Sequence, residues 1–351
     1  MSGPALNCSA RSRRTDIILW DIKEGSMETK VDRKRIIFYL SFAFGIAWLA
    51  GLAIYLTGGI AGSPSLIPGT NINLAVVLVV VLYMPAPALA NVLTRLLTHE
   101  GWQNTYLRIN FKRAWPYWLA TWFGPALLTG VGLLVYFLIF PQYFDPQLGV
   151  LNQMIQQQYQ QLGQTPPDIG LWTIVFAQTA QAVLIAPILN ALPTFGEEFG
   201  WRAYLQPKLM PLGARKAILL MGVIWGVWHW PIIAMGHNYG LAYPGYPWAG
   251  MLMMVWFTFI VGTFLGWAAF RSASVWPAVI GHAALNGIAG IGVYMTQGDP
   301  NPLIGPMPVG ILGSVGFAVL AAILYFSPRA FAPVAEATHP EAVATENPPL
   351  D

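Results

Sequence analysis

Four side chains carry charge or proton-transfer chemistry in stretches too apolar to solvate them: Glu197, Glu198, His229 and His282. Of fifteen acidic residues and five histidines, only these fall inside long hydrophobic segments, with His237 just outside one. Ionisable groups are expensive inside a membrane, so those found there are functional candidates by default. Their settings are Glu197-Glu198-Phe199-Gly200-Trp201-Arg202, then Trp225-Gly226-Val227-Trp228-His229-Trp230-Pro231, then His282-Ala283-Ala284-Leu285-Asn286. On a helix, Arg202 shares a face with Glu198, while Glu197 is turned about 100° away and is free for other work. His282 and Asn286, one turn apart, present an imidazole and a carboxamide side by side. Carboxylate and imidazole together suit acid–base activation of water, and imidazole and amide donors suit an oxyanion.

The elements that must position these groups are membrane helices. The chain has 351 residues, 56% hydrophobic and only 9% charged, against about a quarter charged in soluble domains. A chain of this composition cannot cover a water-facing surface. The net charge of +3 implies no nucleic-acid partner, and the one cysteine, Cys8, rules out an internal disulfide. Eight stretches are long enough to span about 30 Å of hydrocarbon. They run near 36–56, 72–93, 115–140, from 171 onward, 216–235, 248–270, 275–295 and 306–326. Pro187 and Pro193 should break the fourth, because proline removes a backbone donor. The expected fold is an all-α membrane protein, a polytopic bundle of about eight transmembrane helices with a buried polar site. Residues 1–35 read as a cytoplasmic N-terminal tail, with Met1 or Met27 as the start. Residues 36–170 read as the first three helices and an outside loop in which 153–161 forms an interfacial helix. Residues 171–296 read as the catalytic core, 297–326 as the last helix and 327–351 as a disordered cytoplasmic tail.

Cytoplasmic loops retain Lys and Arg, and numbering the loops alternately puts all eighteen on one side. They fall at Arg11 to Arg35, Arg95 to Arg113, Arg202 to Lys216, Arg271 and Arg329. Both termini are therefore expected in the cytoplasm of a multi-pass cell-membrane protein. Counting from Lys208, Lys216 and Arg271 at about 1.5 Å per residue puts Glu197, His229 and His282 roughly 16 to 20 Å from that side. Three helices thus deliver polar groups to one level.

The ordered trio E-E-x-x-x-R, aromatic-x-x-x-H and H-x-x-x-N, over roughly Leu171 to Met295, resembles the CAAX protease and bacteriocin-processing family of intramembrane peptidases. The second motif usually begins with Phe, and here Trp225 stands in that place. The resemblance implies an intramembrane endopeptidase acting on a membrane-bound or lipidated peptide or protein. On the residues present, Glu197 is the expected general base and His229 its partner on the water. Asn286 and His282 are the expected oxyanion donors, and Glu198 paired with Arg202 the expected brace. A zinc form, with His229, His282 and Glu197 as ligands and an open position for water, is the alternative. The H-E-x-x-H signature of zinc peptidases is absent, which favours a metal-free mechanism requiring no cofactor.

Blander readings exist for each residue. Single intramembrane histidines and Asn286 can act as interhelical hydrogen bonders, Arg202 can snorkel to headgroups, and His237 reads as a solvated loop residue. Gly262 and Gly266 read as close helix packing. Trp228, Trp230 and Trp276 read as interfacial aromatics rather than a lipid groove. Two further function classes compete: a non-catalytic scaffold or bacteriocin-immunity protein, and a proton-coupled transporter. The transporter reading fits the buried charges but not the motif spacing, and the chain shows no internal repeat of the kind transporters carry.

Overall fold

A computed structural model describes residues 30–67, 70 and 72–332, so Cys8, Met27 and most of both expected tails lie outside the described residues. The described chain is helical. Two isolated antiparallel bridges, Ser65 with Asn73 and Phe144 with Thr296, are the only β pairings among these residues. We number ten helices: α1 Arg33–Leu56, α2 Leu74–Leu97, α3 Phe111–Ile139, α4 Gly149–Gln161, α5 Leu171–Leu184, α6 Ala191–Gly200, α7 Ala214–Trp228, α8 Trp248–Ser272, α9 Trp276–Ile288 and α10 Val315–Phe326. Five helical stretches are long and apolar enough to cross a membrane: α1, α2, α3, α8 and the stretch Trp276–Met295 that contains α9. Helices α5 and α10 are apolar but shorter.

Prolines set the breaks, and aromatic donors repair them. Pro187 cannot bond the carbonyl of Val183, and that oxygen accepts from Trp122 Nε1 at 2.8 Å. The chain turns through Ala186–Leu189 before α6 begins. Pro231 ends α7 at Trp228, and the freed Trp228 carbonyl accepts from Tyr83 Oη at 2.6 Å and Trp48 Nε1 at 3.2 Å. The span expected from residue 306 is shorter than the sequence suggested. Pro302, Pro306 and Pro308, with Gly305, Gly310 and Gly313, keep that segment in turns until α10 starts at Val315. The helix expected near 153–161 forms as α4, and just before it the Asp145 carboxylate accepts from the backbone N–H groups of Gln147 and Gly149.

Helix α7 packs along α8, α9 along α3, and α1 along α2. Glycine permits close crossings: a Cβ on Gly222 or Gly226 of α7 would meet backbone atoms of Phe259 and Val255 on α8. Thr258 Oγ1 ties the crossing by donating to the Gly222 carbonyl at 2.8 Å. Gly200 at the end of α6 lies against Pro87 of α2 in the same manner. The core filling these crossings is aromatic, with Tyr39, Tyr83, Trp201, Trp225 and Trp228 all buried in one cluster.

At the basic end of the bundle, Glu100 follows α2 and gathers partners from three elements. It accepts from Lys208 Nζ at 2.7 Å and Tyr204 Oη at 2.8 Å, and it faces Arg35 Nε at 3.4 Å. Burial opposes its charge, yet the Lys208 and Tyr204 hydrogen bonds and the Lys208 and Arg95 charges hold the carboxyl below its ordinary 4.5. A carboxyl held low in the folded state adds stability that is present above its unfolded value and lost as pH falls through the folded one. Glu100→Gln should therefore lower the thermal midpoint in detergent at neutral pH and flatten its decline below about pH 4.5. Equal acid sensitivity in both proteins would contradict the anchoring. Gly222→Val should cost about 1–3 kcal/mol through overpacking, read as a lower unfolding midpoint; an unchanged midpoint would contradict the close crossing.

Candidate active site

The sequence motifs meet around one indole. Glu197 and Glu198 close helix α6, which passes directly into a π-helical turn, Trp201–Leu205, that carries Arg202. Such single π turns recur at functional sites because they re-aim side chains within a continuous helix. His229 caps α7, and His282 lies within α9. Helix α9 is held beside α6 by Asn190 Nδ2 donating to the Ala283 carbonyl at 3.3 Å and Thr194 Oγ1 donating to the Val279 carbonyl at 3.1 Å. All five polar groups, Glu197, Glu198, Arg202, His229 and His282, are buried.

Glu198 and Arg202 form the expected pair, with Arg202 donating to Glu198 Oε1 at 2.9 Å. The same oxygen meets His282 Nδ1 at 2.9 Å. An ionised carboxylate only accepts, so Nδ1 of His282 carries the hydrogen and Nε2 remains for chemistry. Glu198 is thus a shared brace between α6 and α9, and it reaches beyond the Arg202 partner expected from spacing alone. Among the described residues Glu198 Oε2 and Arg202 Nε have no hydrogen-bond partner.

Glu197 points elsewhere, as its position along the helix implies. Its Oε2 accepts from Trp225 Nε1 at 2.9 Å. His229 is fixed by the break in its own helix. Its backbone N–H bonds the Gly226 carbonyl rather than that of Trp225. The Trp225 carbonyl then accepts from His229 Nδ1 at 2.7 Å. A carbonyl cannot donate, so Nδ1 carries a hydrogen, and in the neutral ring Nε2 keeps its lone pair. The break required by Pro231 thereby selects the tautomer in which His229 can accept a proton.

Asn286 lies one turn beyond His282 but is exposed and makes no side-chain hydrogen bond to the cluster. His237 sits in the turn after Trp230–Ile233, exposed and outside the hydrogen-bonded group. Trp228 packs edge-on to His229 with ring centroids 4.7 Å apart, and is a core residue rather than the lining of a surface groove. Trp276 stacks on Phe195, and its Nε1 donates to the Leu107 carbonyl at 2.8 Å. Gly262 and Gly266 do more than let helices approach. A Cβ on Gly262 would stand 3.3 Å from Arg202 and 3.8 Å from the Trp225 ring, and one on Gly266 would crowd Gln206. Helix α8, which carries no motif, therefore provides the space in which the guanidinium sits.

Among the described residues no three His, Cys, Asp or Glu side chains converge as a set able to hold a metal ion. The zinc arrangement finds no preformed ligand set among these residues.

The described residues combine membrane-length helices with a buried carboxylate–imidazole cluster, an arrangement compatible with intramembrane hydrolysis. Comparison with known proteins is consistent with it: residues 172–288, about a third of the chain, match the family of Rce1-like type II CAAX prenyl endopeptidases. The match spans all three motifs up to Asn286, bears out the resemblance drawn from them, and supports a peptidase of the CAAX type. No curated protein matches the chain.

The brace can be tested by stability. Glu198→Ala should leave Arg202 buried without its counter-charge and cost about 3–5 kcal/mol. Combining Glu198→Leu with Arg202→Met should recover a large part of that loss, since apolar replacement removes both charges together. Denaturant unfolding in detergent measures both. A neutral Glu198→Ala would show that the pair carries no structural load.

Proposed function

We propose that this protein is an intramembrane endopeptidase that hydrolyses a peptide bond of a membrane-associated substrate with a water activated by Glu197. The observation that carries this reading is the convergence of Glu197, His229 and His282 on Trp225 from three separate segments. Hydrolysis needs a base for water, a partner to orient it, and donors for the tetrahedral oxyanion. Glu197 supplies the base, with one oxygen anchored and the other left to take the proton. His229, locked with Nε2 unprotonated, accepts a second hydrogen bond from the same water. As the water oxygen bonds to the carbonyl carbon, the abstracted proton rests on Glu197 and passes to the leaving amine when the C–N bond breaks.

Asn286 supplies a carboxamide donor to the oxyanion, and its exposed side chain is free to meet a substrate. His282 donates from Nε2 as an imidazolium, with Glu198 as its counter-charge. Glu198 and Arg202 hold α6 and α9 together and take no proton in the cycle. This scheme requires no metal. The Rce1-like match favours a substrate cleaved next to a lipid-modified residue and bound from the bilayer, and the one-sided distribution of Lys and Arg favours cytoplasmic termini.

New peptide termini compared between membranes holding wild type and membranes holding Glu197→Gln at matched expression test the reading. Termini should appear with wild type only and persist in chelator. Termini lost in chelator would favour the zinc form. Identical termini in both membranes would favour the scaffold, which needs no base at position 197.

A further inference from the structure

Trp225 touches four of the five buried polar groups in the site, Glu197, Arg202, His229 and His282. Its indole N–H bonds Glu197 at 2.9 Å, and its carbonyl bonds His229 at 2.7 Å. Its ring lies under the Arg202 guanidinium at 4.2 Å and meets His282 edge-on at 5.4 Å. The side chain is itself almost wholly buried. We propose that Trp225 is a positioning residue that fixes Glu197 relative to His229, the indole N–H aiming the carboxylate and the backbone carbonyl aiming the imidazole. The inference rests on reading these two residues as the water-activating pair.

First, a Glu side chain has several rotatable bonds, and an unanchored carboxylate in a cavity samples geometries that do not reach the water; a charge-assisted hydrogen bond removes most of them. Second, the anchor is rigid. The indole has two side-chain torsions, its face is stacked against the Arg202 guanidinium, its ring meets His282 edge-on, and the side chain is almost wholly buried. Third, both contacts leave from one residue, so the separation of carboxylate and imidazole is set within Trp225 instead of across a helix–helix interface that can slide. A phenylalanine here would keep the carbonyl, the stack and most of the packing, and would lose only the donor. The N–H is therefore a feature of this chain that the Phe-type motif cannot supply, and Trp225→Phe isolates it.

The charged and titratable neighbours remain in that variant: Glu198 and Arg202 on the same helical segment, His282 on α9, His229 after α7, Tyr39 on α1 and Tyr83 on α2. Two measurements then decide the matter. In proton–nitrogen spectra of the intact protein in micelles, the indole resonance missing from Trp225→Phe identifies Trp225. Glu197→Ala should shift that resonance upfield more than any other indole. No shift would overturn the hydrogen bond, independently of any activity. With a defined lipidated peptide as substrate, Trp225→Phe should lower kcat roughly tenfold while KM stays within about twofold, the signature of lost orientation. An unchanged kcat, or a loss that tracks the folded fraction, would reduce Trp225 to packing. Should Glu197→Gln cleave this peptide as fast as wild type, the reading of Glu197 as the base fails instead, while the indole shift still reports on the anchor.

Discussion

A negative charge buried between two helices governs this structure. Glu198 is fully buried, and its Oε1 meets both Arg202 and His282 at 2.9 Å. A carboxylate taken out of water loses several kcal/mol of solvation, which only well-placed counter-charge and hydrogen bonds offset. That requirement brings α6 and α9 to a fixed separation, turns His282 so that Nε2 faces away from the brace, and demands a cavity for a guanidinium. Gly262 supplies the cavity and Trp225 the face on which the guanidinium lies. The neighbouring Glu197 is then free of structural duty and points to the other side of its helix.

Interruptions in helical regularity serve the same end. A continuous α-helix engages each carbonyl with a backbone N–H, so a carbonyl released at a break is more available to orient a side chain. The stop imposed by Pro231 releases the carbonyls of Trp225 and Trp228; one sets the tautomer of His229, and the other is taken by Tyr83 and Trp48. The π turn after Glu198 re-aims Arg202 back toward the carboxylate. Irregular backbone at this depth survives because it is buried in protein, where side-chain donors replace the missing helical bonds.

Much of this is legible in the chain. Apolar runs bounded by charges locate the membrane-length helices, and the scarcity of ionisable residues inside those runs isolates Glu197, Glu198, His229 and His282. The i, i+4 spacing reads the Glu198–Arg202 pair directly. Contacts between elements distant in sequence are not readable, since no periodicity links Trp225 to Glu197 or Gly262 to Arg202. The indole N–H of Trp225, in a place where a ring alone suffices for packing, is the signal that marks it in hindsight. Gly222 and Gly226 have the same small-xxx-small spacing as Gly262 and Gly266, yet the first pair makes the tight helix crossing and the second makes room for polar side chains. Spacing states that space is left, and the fold decides what fills it. The dense Pro and Gly content of 302–313 also outweighs the hydropathy that would start the last helix near 306.

The most direct test of a shared hydrolytic site is a structure of the protein in lipid nanodiscs with a lipidated phosphinic peptide, whose tetrahedral phosphorus imitates the hydrolytic intermediate. The account predicts one phosphinate oxygen between Glu197 and His229 and the other toward His282 and Asn286, with the Glu198–Arg202 pair unmoved. A phosphinate bound away from Glu197, or Glu198 drawn out of its brace to contact it, would contradict the account.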